Sequence, residues 1–114
     1  MQLGPIDFGA ISIDGVIYRE DIVIDRGQIK LRDKDASRNY KARYGHTPLS
    51  AQENIPWNCH TLVIGSGIYG SLPVMDEVRK MAREKGVQLI IKQTREAAKH
   101  LNDDQTNLVL HLTC

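Results

Sequence analysis

The most constraining stretch of the chain is Thr61-Leu62-Val63-Ile64, a short apolar strand that runs straight into glycine. It opens an alternation of strand and helix patterns, which points to an α/β fold. After it, Val74, Val78, Met81 and Ala82 recur at helical spacing. Ser71-Leu72-Pro73 marks the helix start, with proline near the first turn and Asp76 and Glu77 close behind. Arg79, Lys80, Arg83 and Lys85 load the C-terminal turns, where they suit the helix dipole, and Gly86 is the expected stop. Val87-Gln88-Leu89-Ile90-Ile91 reads as the next strand. Thr94 reads as the N-cap of a helix through Leu101, and Asn107–Leu112 as a closing strand. Span 61–114 is therefore β-α-β-α-β.

Upstream, span 6–32 reads as an antiparallel β-meander of three or four strands. Ile11–Tyr18 turns at Asp14-Gly15, a strong hairpin signal because both central residues need positive φ. Asp21–Asp25 is a further strand, Arg26-Gly27 a second turn, and Gln28–Arg32 alternates with Ile29 and Leu31 on one face. Span 33–60 is a basic loop with room for a short helix near 47–54. There, Ser50 and Glu53 match a capping box. No repeat or linker divides the 114 residues, so the expectation is one domain: a mixed sheet with helices on one face, plus the meander.

Charge is uneven. The chain carries +1 overall, but span 26–46 holds seven basic residues against Asp33 and Asp35, a local net of +5. No global field steers the protein to nucleic acid or membrane. No apolar run approaches the roughly 20 residues of a membrane span. The N-terminus lacks the signature of a signal peptide, so the cytosol is the expected compartment. Cys59 and Cys114 make neither a disulfide framework nor a zinc site.

Gly65-Ser66-Gly67-Ile68-Tyr69-Gly70 matches G-x-G-x-x-G after a strand and before a helix, the pattern that cradles phosphates. Three features argue against nicotinamide or flavin. Pro73 places the helix start beyond the last glycine. Lys92 and Gln93 stand where an acidic ribose partner belongs. Only about 54 residues run from Thr61 onward, too few for two mononucleotide-binding halves. The glycines then serve either a tight turn with close packing or another small anion. If the strands before Gly65 and Lys92 are parallel neighbours, Thr94 and Arg95 open at the same sheet edge as the glycine loop.

Other candidates are thinner. His46, just past the basic span, suits an anion contact, a general base or a loop-ordering hydrogen bond. His111 sits on the sheet face opposite Leu110 and Leu112, the place of a satisfied, half-buried imidazole. His60 and His100 have no evident partner, and no metal-ligand spacing occurs. Cys114 and His111 are three apart, an odd spacing that sets them on opposite sides of a strand about 10 Å apart, and Cys59-His60 fails similarly. Tyr40 and Tyr44 interleave with Lys41 and Arg43, as a nucleic-acid stacking surface requires, but no recognition motif accompanies them.

Several stretches occur together and in order: Phe8-Gly9 with Ile13-Asp14-Gly15; Asp21–Ile24; Gly45-His46; Leu62–Gly67 with Tyr69-Gly70; Thr94 with Ala97-Ala98; and His111-Leu112-Thr113-Cys114. In these the chain resembles the Mth-type domain family. That family includes uncharacterised archaeal and bacterial proteins, an adipogenesis-associated protein and an assembly factor of mitochondrial respiratory complex I. The resemblance implies a compact α/β fold with a mixed sheet and a β-meander, and no settled catalytic activity. Leu31-Arg32-Asp33-Lys34 stands where many relatives carry tryptophan, which looks more like the archaeal branch.

The combined reading is a non-catalytic accessory or assembly domain that binds a protein partner or a small anionic ligand. The expected surface joins Gly65, Ser66, Gly67, Tyr69, Gly70, Thr94 and Arg95 with Lys34, Arg38, Arg43 and His46. The alternatives are an enzyme acting on a small phosphorylated or carboxylated substrate at the glycine loop, and nucleic-acid binding through span 26–46. Free edges of the meander would suit a homodimer.

Overall fold

The computed structural model describes residues 1–114. Both predicted turns form as two-residue hairpins: Asp14 and Gly15 take φ of 52° and 78°, Arg26 and Gly27 of 49° and 80°. The strands around them fall into two sheets rather than one continuous meander. Strands β1 (Leu3–Asp7), β2 (Ala10–Ile13) and β3 (Val16–Tyr18) make a three-stranded antiparallel sheet. Strands β4 (Ile22–Asp25) and β5 (Gln28–Leu31) leave it and join the main sheet. That sheet is completed by β6 (Thr61–Ser66), β7 (Gln88–Lys92) and β8 (Thr106–His111), in the order β5-β4-β8-β6-β7. The last strand of the chain thus lies at the centre, parallel to β6 and antiparallel to β4.

Side-chain alternation makes this sheet two-faced. Ile22, Ile24, Val63, Leu108 and Leu110 meet Ile11 and Ile13 of the small sheet, with Ala97, Ala98 and Leu101. Val23, Leu62, Ile64 and Val109 meet Leu49, Leu72, Val78 and Val87 on the other side. The α/β class is as expected, but the helices flank both faces instead of one. Helix α2 (Asp76–Lys85) brings Val78 to one face; α3 (Thr94–Ala97) and the 3₁₀ turn Ala98–His100 cover the other.

Three local expectations shift for physical reasons. Helix α2 begins at Asp76, not at Pro73. The segment before it runs extended, because the Leu49 N–H donates to Pro73 O and the Met75 N–H to Leu49 O. Residues 50–53 make a turn instead of a helix; the Glu53 carboxylate still reaches the Ser50 N–H at 3.3 Å, as in a capping box, but its other partners hold it elsewhere. The polar span after Asp33 is helical after all, a 3₁₀ helix Lys34–Tyr40 followed by α1 (Lys41–Tyr44) closed by left-handed Gly45.

Strand β5 is an edge strand, and its two apolar residues diverge: Ile29 packs on the core while Leu31 is 58% exposed. Leu31→Ala should therefore change stability by no more than about 0.5 kcal/mol, against about 2–5 kcal/mol for Leu108→Ala in the central strand. Urea unfolding midpoints of the two variants test this.

Candidate functional site

The site grows from one buried cation. Arg32, the residue just after β5, has a fully buried side chain. Its guanidinium grips Glu53 at two points, Nε to Oε1 at 2.7 Å and Nη2 to Oε2 at 2.9 Å. It also donates to Asp21 at 2.9 Å and to the Pro48 carbonyl at 2.9 Å. Ser37 donates to the same Glu53 carboxylate and lies 2.6 Å from the Ser50 hydroxyl. A buried ion pair survives only when each charge is matched and the remaining lone pairs are filled, and here no buried side-chain nitrogen or oxygen lacks a partner. This cluster holds the 3₁₀ helix and the 48–53 loop against the top of the main sheet.

Asp21 carries the cluster into the sheet. The register sets Ile22 of β4 opposite Leu110 of β8, so Asp21 reaches the end of β8. Its Oδ2 lies 2.6 Å from His111 Nδ1, and its Oδ1 accepts the Leu112 N–H at 2.8 Å. Lys34 approaches at 3.4 Å. Burial by itself would raise the Asp21 pKa. The hydrogen bond and charge of His111, the Leu112 N–H and the Lys34 charge outweigh it and hold the carboxyl well below its ordinary value. Burial pushes the Cys59 thiol up, which leaves it a poor nucleophile.

The glycine loop is turned inward. Strands β6 and β7 are parallel neighbours, so the loops after them do share an edge. The loop's N–H groups, however, are taken by the chain's own oxygens. Gly67 donates to the Thr94 hydroxyl at 2.9 Å and Ile68 to Thr113 O at 2.7 Å. Tyr69 and Ser71 both donate to Cys114 O, and Gly70 donates back to Gly67 O. Ser66 Oγ donates to Lys92 O. The loop therefore seats residues 113–114 where a phosphate-binding loop seats its anion. Gly67 has φ +107°, and a Cβ there would fall 2.3 Å from the Cys114 carbonyl carbon. Thr94 is fully buried, and its hydroxyl is spent on the Gly67 N–H and the His111 carbonyl. It is not the N-cap; Gln93 holds that position. Arg95 reaches away to the Ile6 carbonyl of the small sheet.

On the outer side of residues 111–114 the basic segment closes a cleft of about 320 Å³. Lys34, Lys41, Gly45, His46 and Thr47 line it from one segment, His111, Thr113 and Cys114 from the other. No carboxylate side chain lines it. A neighbouring cavity of about 330 Å³ shares Lys34 and Thr113 but mixes four basic side chains, Arg38 among them, with four acidic ones. Arg38 pairs with Asp35 at 2.8 Å. Arg43 stacks on Tyr44 and borders a separate hollow with Glu77. Of the residues expected to converge, Lys34 and His46 do so; Gly65, Ser66, Gly67 and Thr94 form the buried layer beneath, Tyr69 and Gly70 are exposed with Tyr69 against Phe8, and Arg38, Arg43 and Arg95 face elsewhere. Asp21, Arg32, Glu53 and Thr113 lie outside the surface expected from sequence, although Asp21, Arg32 and Thr113 fall in stretches that carry the family resemblance. The Ser50–Glu53 capping-box match is the one contact within the cluster that local sequence spacing shows.

Residues 5–106 match a family described as "Protein of unknown function (DUF498/DUF598)". Among solved structures, a conserved hypothetical protein of Pyrococcus horikoshii OT3 is similar over 100% of both chains, with TM-score 0.81 and 28% identity. A structure called MT938 has TM-score 0.71 at 21% identity, covering 98% of this chain and 97% of its own. An outer membrane protein from Bartonella henselae has TM-score 0.67 at 15% identity, covering 98% and 94%. The last two share the fold and carry nothing further. No curated protein matches the sequence. No helix is long and apolar enough to cross a membrane.

Two outcomes follow from the site. Gly67→Ala should cost roughly 2–4 kcal/mol, the sum of a strained left-handed residue and an overpacked seat for Cys114, as read by thermal or urea unfolding. Because the folded-state pKa of Asp21 is depressed, its ionisation stabilises the protein above the ordinary value of 3.8, and that contribution disappears as pH falls below it. Asp21→Asn should be the less stable protein at pH 7 and should lose less stability than wild type on acidification, a comparison that unfolding curves between about pH 6 and pH 2 provide.

Proposed function

The chain belongs to this DUF498/DUF598 family, and on that footing we propose that it binds a small carboxylate or phosphate ligand in the cleft between the basic segment and the end of β8. One observation carries the reading: two lysines and two histidines from separate segments line a single cleft that no acidic side chain enters. Lys41 supplies positive charge, Lys34 adds charge that it shares with Asp21 at 3.4 Å, His46 and Thr47 supply donors, and the buried Arg32 cluster holds both walls. The same ion pairs speak for a compact ligand over an extended phosphate track. Arg32 is buried, Arg26 and Lys30 pair with Asp25, Lys34 pairs with Asp21 and Arg38 pairs with Asp35, so the basic span offers few free cations.

A second reading, self-association, is favoured by β3. It is the outer strand of the small sheet, and Val16 and Ile17 on it are each more than half exposed. A second copy pairing there about a two-fold axis would cover both.

Thermal unfolding with succinate or inorganic phosphate tests the cleft. A ligand present at 100 times its Kd stabilises by about 2.7 kcal/mol. That amounts to a rise of several degrees in Tm for a domain of this size. The rise should disappear in Lys34→Gln/Lys41→Gln and persist in Arg43→Gln. An equal rise in both variants would place the anion elsewhere.

A further inference from the structure

The cleft contains a feature that anion binding does not use. Asp21, His111 and Thr113 form a chain of carboxylate, imidazole and hydroxyl: 2.6 Å from Asp21 Oδ2 to His111 Nδ1, and 3.3 Å from His111 Nε2 to Thr113 Oγ1. We infer that the cleft is a site of acyl transfer, in which Thr113 is the nucleophile, His111 its base, and Asp21 the residue that positions the imidazole. This rests on the anion-binding reading of the same cleft.

The chemistry is set by what surrounds Asp21. Its carboxylate accepts from Arg32 Nη1 and from the Leu112 N–H and is ion-paired with Lys34 at 3.4 Å, so it does not need histidine to be satisfied. As an ionised carboxylate it can only accept, which places the proton of the imidazole on Nδ1. In the neutral form of the ring, which a base must reach before it can take a proton, the Nε2 lone pair faces the Thr113 hydroxyl. That is the arrangement in which a base removes the proton of an attacking alcohol. The 3.3 Å contact is within the looser reach that such pairs show before substrate tightens them. Asp21 and His111 are buried, whereas Thr113 is half-buried and borders the cleft. The reactive end is thus open and the orienting end dry.

The substrate class follows from the lining. An ester of a small acid that keeps a second, free carboxylate pairs that charge with Lys34 or Lys41 and presents its carbonyl to Thr113. The Thr113 oxygen bonds to the carbonyl carbon as its proton moves to His111 Nε2. The adduct collapses, the bond to the leaving alcohol breaks, and that alcohol takes the proton from Nε2. Water, losing a proton to the same nitrogen, then cleaves the Thr113 ester and restores the hydroxyl.

The test is the mono-p-nitrophenyl ester of succinic acid, an activated ester with one free carboxylate. Wild-type protein should release a burst of about one p-nitrophenolate per chain and gain one succinyl group, mapped to Thr113 by peptide mass spectrometry. Thr113→Val, a near-isosteric change at a half-buried site, should lower the burst at least about tenfold, and Thr113→Ser should retain it. Nitrogen-15 NMR of the His111 ring reads the role of Asp21. The proton should sit on Nδ1 in wild type and move to Nε2 in Asp21→Asn, whereas a purely structural Asp21 leaves the tautomer unchanged. No burst, or succinyl on Lys34 or Lys41 instead of Thr113, overturns the inference. If succinate itself raises the wild-type Tm while no burst appears, acyl transfer fails and anion binding stands; if neither occurs, both fail.

Discussion

A single guanidinium organises the end of the molecule that carries the cleft. Arg32 is the point where the edge strand, the 48–53 loop, the 3₁₀ helix and the start of β4 meet, and its partners Glu53 and Asp21 are themselves buried. Loss of one charge of such a cluster leaves the others uncompensated in a medium that solvates them poorly, so the members stand or fall together. The cluster also does what a hydrophobic contact does not. It fixes direction, because a bidentate fork constrains both planes. That constraint passes from Arg32 to Asp21 and from Asp21 to the ring of His111, which faces the cleft.

The second constraint is the inward use of the glycine loop. Its N–H groups hold the oxygens of Thr113 and Cys114, so the loop acts as a cradle for protein backbone. Thr94 ties the loop to β8 from below, and the Gly9 N–H ties the first hairpin to Leu112 O. Residues 111–114 are thereby packed from three directions and present one remaining side to Lys34, Lys41 and His46. The cleft is firm because its floor is a strand end gripped by loops that sequence reading assigns to ligand binding.

The legibility of the sequence tracked the range of the interactions. The Asp14-Gly15 and Arg26-Gly27 turns, the Gly86 stop and the apolar runs at 61–64 and 87–91 were readable because each reflects local backbone geometry or a period. The start of α2 was misplaced because Leu49, some 25 residues away in sequence, pairs with the backbone around Val74 and keeps it extended. Leu31 looked like a core residue by alternation, yet it sits at the edge of the sheet where the core ends. The 3₁₀ helix after Asp33 has no period to read, since Ser37 is its only buried residue and is held there by Glu53.

The sequence by itself determined the α/β class, the two hairpins, the strand–helix–strand second half and the basic character of span 26–46, because periodicity, turn chemistry and local charge are written in neighbouring residues. Only the tertiary structure decided that the last strand takes the centre of the sheet, that Arg32 is buried instead of basic surface, that the glycine loop faces inward, and that Asp21, His111 and Thr113 meet. Those outcomes depend on which distant groups can satisfy a buried charge or an unpaired N–H. That requirement acts through space between residues as far apart as 21 and 111, and no local pattern records it.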